Sequence, residues 1–468
     1  MTGEEAERSA GGIERYGVEA VPAELRTTRW RDLATILFTF NLSPLTYVLG
    51  GVAATAGGLP LWWAAGALGL GSLIGVAMIT LPARVGVEHG LPGQVAMRAT
   101  FGLLGSRALT SPYRVAASSY WFAAQALVCA GAAVALIRSL ADVDLPLIPI
   151  SLGTAAVAAV LAAIGFDALR YFVRIVLPLT LLSTGVLISI FVASDDERLD
   201  PSRVLDSPGQ SFTWAAFAAF VTVMWGAQLT TVTNAADFCR YVRTRRDMEV
   251  GFVVGATLGT FVAAWVGAYA GIALERTNPF EVAGDLTGNP VLLVALLVAV
   301  LAQTTSANVI NLYTAGLSLV NAVPALGRLR ATLAVCVLGI GLSAWEGFVD
   351  QAQDFFTHLG NVAAPITGVV LADYVLLKRT RLDLPALFEP EGRYRFVAGV
   401  NPAAVVAVAV GVAVYYAVPD AALKAAVGVA VSALVYLACA RGQALLVPRL
   451  GDAIRPAGRL PAGSGRAR

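Results

Sequence analysis

LATILFTFNLSPLTYVLGGVAATAG, residues 33–57, is an apolar run with Asn41-Leu42-Ser43-Pro44 at its centre. Its length suits a crossing of a hydrocarbon core about 30 Å thick. Its middle does not suit an unbroken helix. Pro44 has no N–H to donate to the carbonyl of Phe40, and its ring crowds that turn. At membrane depth a freed backbone is tolerated only where it is buried in protein or lines a cavity. The run therefore predicts a broken spanning helix, with carbonyls between Thr39 and Leu42 turned toward a ligand or an ion.

Eleven further apolar runs follow, at 61–81, 115–137, 146–164, 171–192, 214–233, 250–274, 291–317, 331–349, 355–377, 400–418 and 421–440. The chain has 468 residues, 57% of them hydrophobic and 14% charged, against about 25% charged in a soluble domain. The expected class is an all-α membrane protein with about twelve transmembrane helices. Alternate loops differ sharply in basic content. Arg138, Arg198, Arg203, Arg276 and Lys424 fall on one side, and the other 28 of the 33 Lys and Arg fall on the opposite side. Basic residues stay cytoplasmic during insertion, so both termini are expected inside, in a bacterial-type inner (plasma) membrane. The N-terminal segment 1–32 lacks a basic start and a cleavage site and reads as a retained cytoplasmic tail. The segment 441–468, rich in Pro, Gly and Arg, reads as a disordered cytoplasmic tail. A net charge of +2 gives no reason to expect nucleic acid. Four single cysteines without a CxxC pair imply neither a metal cluster nor a disulfide framework.

Polar residues inside the runs mark the candidate site. The sixth run carries Trp225-Gly226-Ala227-Gln228, a second expected break five spans after the first. Paired breaks at corresponding positions of two five-span halves characterise inverted-repeat transporters with a midplane site. The eighth run carries Gln303-Thr304-Thr305-Ser306. The Ala302 carbonyl lies one turn before Ser306, so it and the hydroxyls of Thr305 and Ser306 can converge on a small hard cation, which takes oxygen ligands. Hydroxyls that merely bond back to their own turn are the competing reading. Asn311 points away from Ser306, toward a different site. In the third run Trp121 and Gln125 share a helix face, offering a stacking plane and an amide to a flat hydrogen-bonding ring. A core Trp with a packing Gln is the alternative. Arg114, the Asp195–Glu197 run and the Arg243–Arg246 cluster read as loop charge, His89 as loop, and His358 as a solvated residue near the outer end of the tenth run.

The motifs resemble the nucleobase–cation symporters, the family of purine, cytosine, allantoin and hydantoin permeases. They are Leu33-Ala34-Thr35-Ile36, Gly93 through Arg98 to Phe101-Gly102, Trp121-Phe122…Gln125, Asp237-Phe238-Cys239-Arg240-Tyr241, Pro365…Gly368…Asp373-Tyr374 and Gly399-Val400-Asn401. The resemblance runs from about residue 16 to residue 440. It implies a leucine-transporter-like 5+5 inverted repeat, with repeats at 33–192 and 213–377 and two peripheral helices at 400–440. It implies sodium held by Thr39, Leu42, Ala302, Thr305 and Ser306. Substrate positions carry over to Ser43, Trp121, Gln125, Ala227, Gln228 and Asn311. Departures are Gln228, where the family's hydantoin transporter has a tryptophan, and Ser43, where it has a glutamine. Asp237, Arg240 and Asp373 read as gating or structural residues.

The function expected is sodium-coupled import of a nucleobase, related N-heterocycle or ureide by alternating access. The alternative is a proton-coupled permease, for instance for a thiamine-precursor pyrimidine. A membrane-embedded enzyme lacks the clustered histidines or carboxylates it would need. No cofactor beyond the coupling ion and no obligate protein partner are expected; a monomer in the lipid bilayer suffices.

Overall fold

This computed structural model describes residues 18–457, except 165, 208, 346 and 348–351, with the backbone alone at 163–174, 352–359 and 420. His358 therefore lies outside the described side chains. The first run is α1 (Trp30–Asn41) and α2 (Pro44–Ala54), bent by 56° at the predicted break. Then come α3 (Leu61–His89), α4 (Gly93–Phe101), α5 (Ser111–Ala141), α6 (Leu147–Ile164) and α7 (Phe166–Val192). The second half holds α8 (Trp214–Leu229), α9 (Arg245–Leu274), α10 (Pro290–Ala322), α11 (Gly327–Leu342) and α12 (Ala352–Leu371). Last are α13 (Pro402–Ala417), α14 (Lys424–Leu446) and the short α15 (Pro448–Ile454).

Among the described residues, eight helices are long and apolar enough to cross a membrane, the bent pair adds one, and three shorter apolar helices complete the series. Each of the twelve expected runs coincides with one of these elements. Packing sorts them into groups. α9 lies against α1, α2 and α3, and α8 against α3; α5 pairs with α10, while α13 and α14 pack on each other and on α12. The helices of the last two expected runs, α13 and α14, are thus peripheral, as expected.

Glycine spacing explains how α9 reaches both halves of the broken span. A Cβ at Gly255 or Gly259 would run into the carbonyls of Ala34 or Phe38 on α1, and one at Gly267 into Tyr47 O on α2. Small residues four apart let backbones approach closely where lipid gives no hydrophobic drive.

Several expectations change. The sixth-span break does not fall at Gly226: α8 runs unbroken to Leu229 and unwinds over 230–234. Gly226 instead serves a close approach to Gly360 on α12. The unwinding falls on Thr230-Thr231-Val232-Thr233-Asn234, four β-branched residues and an asparagine, where two hydroxyls bond locally, Thr230 Oγ1 to Ala227 O and Thr231 Oγ1 to Gln228 O. His89 is not loop but the last residue of α3, which ends on Gly90 at φ 68°. The expected loop after α3 contains α4, whose nine residues are all buried. Residues 441–457 of the C-terminal segment, expected to be disordered, are ordered, because Leu450 and Ile454 of α15 are buried and Arg393 donates to Asp452 O; residues 458–468 lie outside the described residues.

Candidate functional site

The breaks in the first and sixth spans open onto one partly open cavity between the α1/α2/α8 layer and the α5/α10 pair. Every predicted substrate residue lines it: Ser43, Trp121, Gln125, Ala227, Gln228 and Asn311. The break supplies Phe40 to Ser43 because helical bonding lapses there. Leu42 N–H still reaches Phe38 O, and bonding resumes with Thr46 and Tyr47 N–H on Ser43 O. Carbonyls between Thr39 and Leu42 lack the donor an unbroken helix would give them.

The amides divide into two kinds. Gln125 and Asn311 are 3% and 1% exposed. Their side chains make no hydrogen bond among the described residues, and Gln125 Oε1 and Asn311 Nδ2 are fully buried. Native interiors rarely leave such groups unpaired, and an exception asks for an explanation. Gln228 differs: its Nε2 donates to Asn41 Oδ1 at 2.8 Å and to Ser72 Oγ at 3.0 Å. Thr260 Oγ1 donates to the same two oxygens. This network ties α1, α3, α8 and α9 together, so Gln228 is as much a bundle tie as a cavity wall.

At the expected cation position, α1 packs against α10. Ser306 Oγ is buried and has no partner among the described residues. Thr305 Oγ1 donates to Leu301 O at 2.7 Å and Thr39 Oγ1 to Thr35 O at 2.9 Å. Those hydroxyls bond back to their own turns and keep their lone pairs. Ala302 is partly buried on the same helix, and Leu42 caps α1. The groups on offer are all oxygens, the ligand type that a hard cation takes.

The remaining predicted residues lie outside the cavity. Asp237 is fully buried in the turn after α8, where Oδ1 accepts Gly93 N–H at 2.7 Å and so caps α4, while Oδ2 has no partner. Burial pushes its carboxyl up to about 7. Arg240 donates to Gly90 O and Glu19 O, pinning the N-terminal segment onto the α3–α4 turn. Asp373 follows α12, buried and paired with Lys378, and accepts from Thr100 Oγ1 and Tyr436 OH at 2.7 Å each.

Among the cavity residues that the sequence reading did not assign to the substrate are Arg114 and Phe40. Arg114, taken as loop charge, is 1% exposed on α5 and lines the cavity, because α5 begins at Ser111 and not at Val115. Its spacing from Trp121, two helical turns, was the available signal. Phe40 supplies a second aromatic, from the residue whose carbonyl Pro44 frees. Trp225 packs in the core and does not line the cavity.

A bent first span, a second span ending at the same cavity and a pair of scaffold helices define a multi-pass membrane transporter. The backbone is similar to a closed, bromovinylhydantoin-bound structure of Mhp1, a nucleobase-cation-symport-1 family transporter, at a TM-score of 0.79 and 19% identity, covering 93% of this chain and 97% of that one. The chain belongs to the family of permeases for cytosine/purines, uracil, thiamine and allantoin, whose model matches residues 20–440. Among similar proteins, a purine-uracil permease of Arabidopsis thaliana is 26% identical over 83% of this chain and 68% of its own length. A hydantoin permease of Microbacterium maritypicum is 24% identical, over 90% and 88%.

Proposed function

We propose that this permease imports a planar N-heterocycle, a nucleobase or related ureide, by alternating access coupled to sodium. The observation that carries this is the pair of unpaired buried amides, Gln125 and Asn311, in one cavity with the Trp121 ring. A ring edge that alternates N–H and C=O answers both amides, while the indole offers its face. The relatives' names agree with this chemistry: purine and uracil, and hydantoin. Sodium would be held by the carbonyls of Thr39, Leu42 and Ala302 with the hydroxyls of Thr305 and Ser306. Bridging α1 to α10, it would favour the form that binds substrate, so the two affinities rise together. No protein partner is needed for this, and a monomer in the inner membrane with both termini inside is the simplest arrangement.

A proton-coupled reading has one support, the buried Asp237 carboxyl that titrates near neutrality. Uptake of a panel of radiolabelled nucleobases and ureides into proteoliposomes, with imposed sodium or proton gradients, separates the two. Saturable uptake of a heterocycle driven by sodium supports the proposal. Uptake driven by protons alone moves the coupling to Asp237, and no heterocycle uptake at all overturns it.

A further inference from the structure

We propose that Arg114 selects heterocycles that carry a negative charge on or beside the ring, such as an ionised imide or a ring carboxylate. The inference rests on the heterocycle reading above. Arg114 is 1% exposed and lines the cavity together with Trp121 and Thr230. It lies seven residues before Trp121 on α5, on the same helix face.

Its hydrogen bonds go to neutral oxygens only. One terminal nitrogen donates to Thr230 O at 3.1 Å and the other to Thr314 Oγ1 at 3.3 Å, while Nε, fully buried, has no partner. No carboxylate forms an ion pair with it among the described residues. Asp237 is the carboxylate whose field reaches it, but Asp237 also faces Arg240 and Arg328 and holds the α4 N-terminus through Gly93 N–H. A buried cation without an ion pair is expensive and marks a candidate functional position.

An anionic group in the cavity supplies the missing counter-charge. The guanidinium is planar and permanently charged, and it pairs best with a carboxylate or an anionic imide edge. A neutral ring enters the same positive field with only carbonyl dipoles to set against it. Chloride offers the same charge without a ring, so the test separates the two sources.

Binding is measured with purified full-length protein in saturating sodium gluconate at neutral pH. The probes are pairs that differ in charge: uracil with 6-carboxyuracil, and hypoxanthine with urate. The acidic member of a pair should bind wild type at least about tenfold more tightly. Arg114→Gln should erase that preference, so that the acidic and neutral members bind with equal Kd, and Arg114→Lys should retain most of it. Thermal unfolding of each variant checks that it is folded.

A wild type that binds the neutral members equally well overturns the proposal, as does a preference that survives Arg114→Gln. A preference that vanishes when chloride replaces gluconate gives the site to the free ion, which also overturns it. If no heterocycle of either charge binds, the heterocycle reading falls and this inference falls with it; neutral binding without charge preference sinks this inference alone.

Discussion

Gln125→Leu should act with opposite signs on the empty and the loaded protein. The Gln125 amide is 3% exposed, makes no hydrogen bond among the described residues, and keeps Oε1 fully buried. A buried polar group without a partner costs about 1–3 kcal/mol. Leucine has similar bulk and no polar atom, so the empty protein should be unchanged or more stable by about 1 kcal/mol. With substrate bound, the ring-edge group that paired with Gln125 would lose its partner, again at about 1–3 kcal/mol. That corresponds to a Kd about 5- to 150-fold weaker. Thermal unfolding of the detergent-purified variant without ligand gives the first number, and titration with the best heterocycle in saturating sodium gives the second. A core glutamine that only packs would behave the other way, losing stability and keeping its Kd. That result would refute the assignment of Gln125 to the substrate.

Trp121→Ala should weaken heterocycle binding by about 1–3 kcal/mol, as loss of an aromatic platform does for stacked bases, and Trp121→Phe should lose less; equal Kd values for all three proteins would remove Trp121 from the site. Thr305→Ala and Ser306→Ala should each lower sodium affinity and, at limiting sodium, substrate affinity together, since linkage makes the coupling reciprocal; sodium titrations that superimpose on wild type would place the ion elsewhere. Gly267→Leu should lower the thermal midpoint and the monodisperse yield, because its side chain meets Tyr47 O where α9 crosses α2; a fully stable variant would contradict that contact. Burial raises the Asp237 carboxyl from 3.8 to about 7, so between those values the folded protein holds a proton that the unfolded chain has lost. Stability should therefore fall as pH rises through this window. Asp237→Asn keeps an acceptor for Gly93 N–H and should flatten the slope; parallel midpoint-versus-pH curves for the two proteins would show that Asp237 does not titrate there.

Hydropathy alone determined the membrane class and the order of the apolar helices, since a run of apolar residues long enough to span has no cheaper place than lipid. The broken first span was equally legible, because Pro44 removes a backbone donor whatever surrounds it. The family motifs carried the six substrate positions to residues that line a single cavity. What sits beside them depended on three dimensions. Gly226 looked like a break because a glycine permits one, but the close approach of Gly360 uses it for packing, and unwinding moved to the threonines that follow. Gln228 looked like a substrate amide, and only the arrival of Asn41 and Ser72 from two other helices showed its Nε2 already bonded. Arg114 looked like loop charge because a cation in water needs no explanation. Its burial against Thr230 and Thr314, contributed from 116 and 200 residues away, turns it into an unpaired charge in the cavity wall. A sequence window registers a residue's own polarity and backbone limits, which act locally. Whether a polar atom is paired depends on partners from distant segments, and that was decided by the packing of the helices.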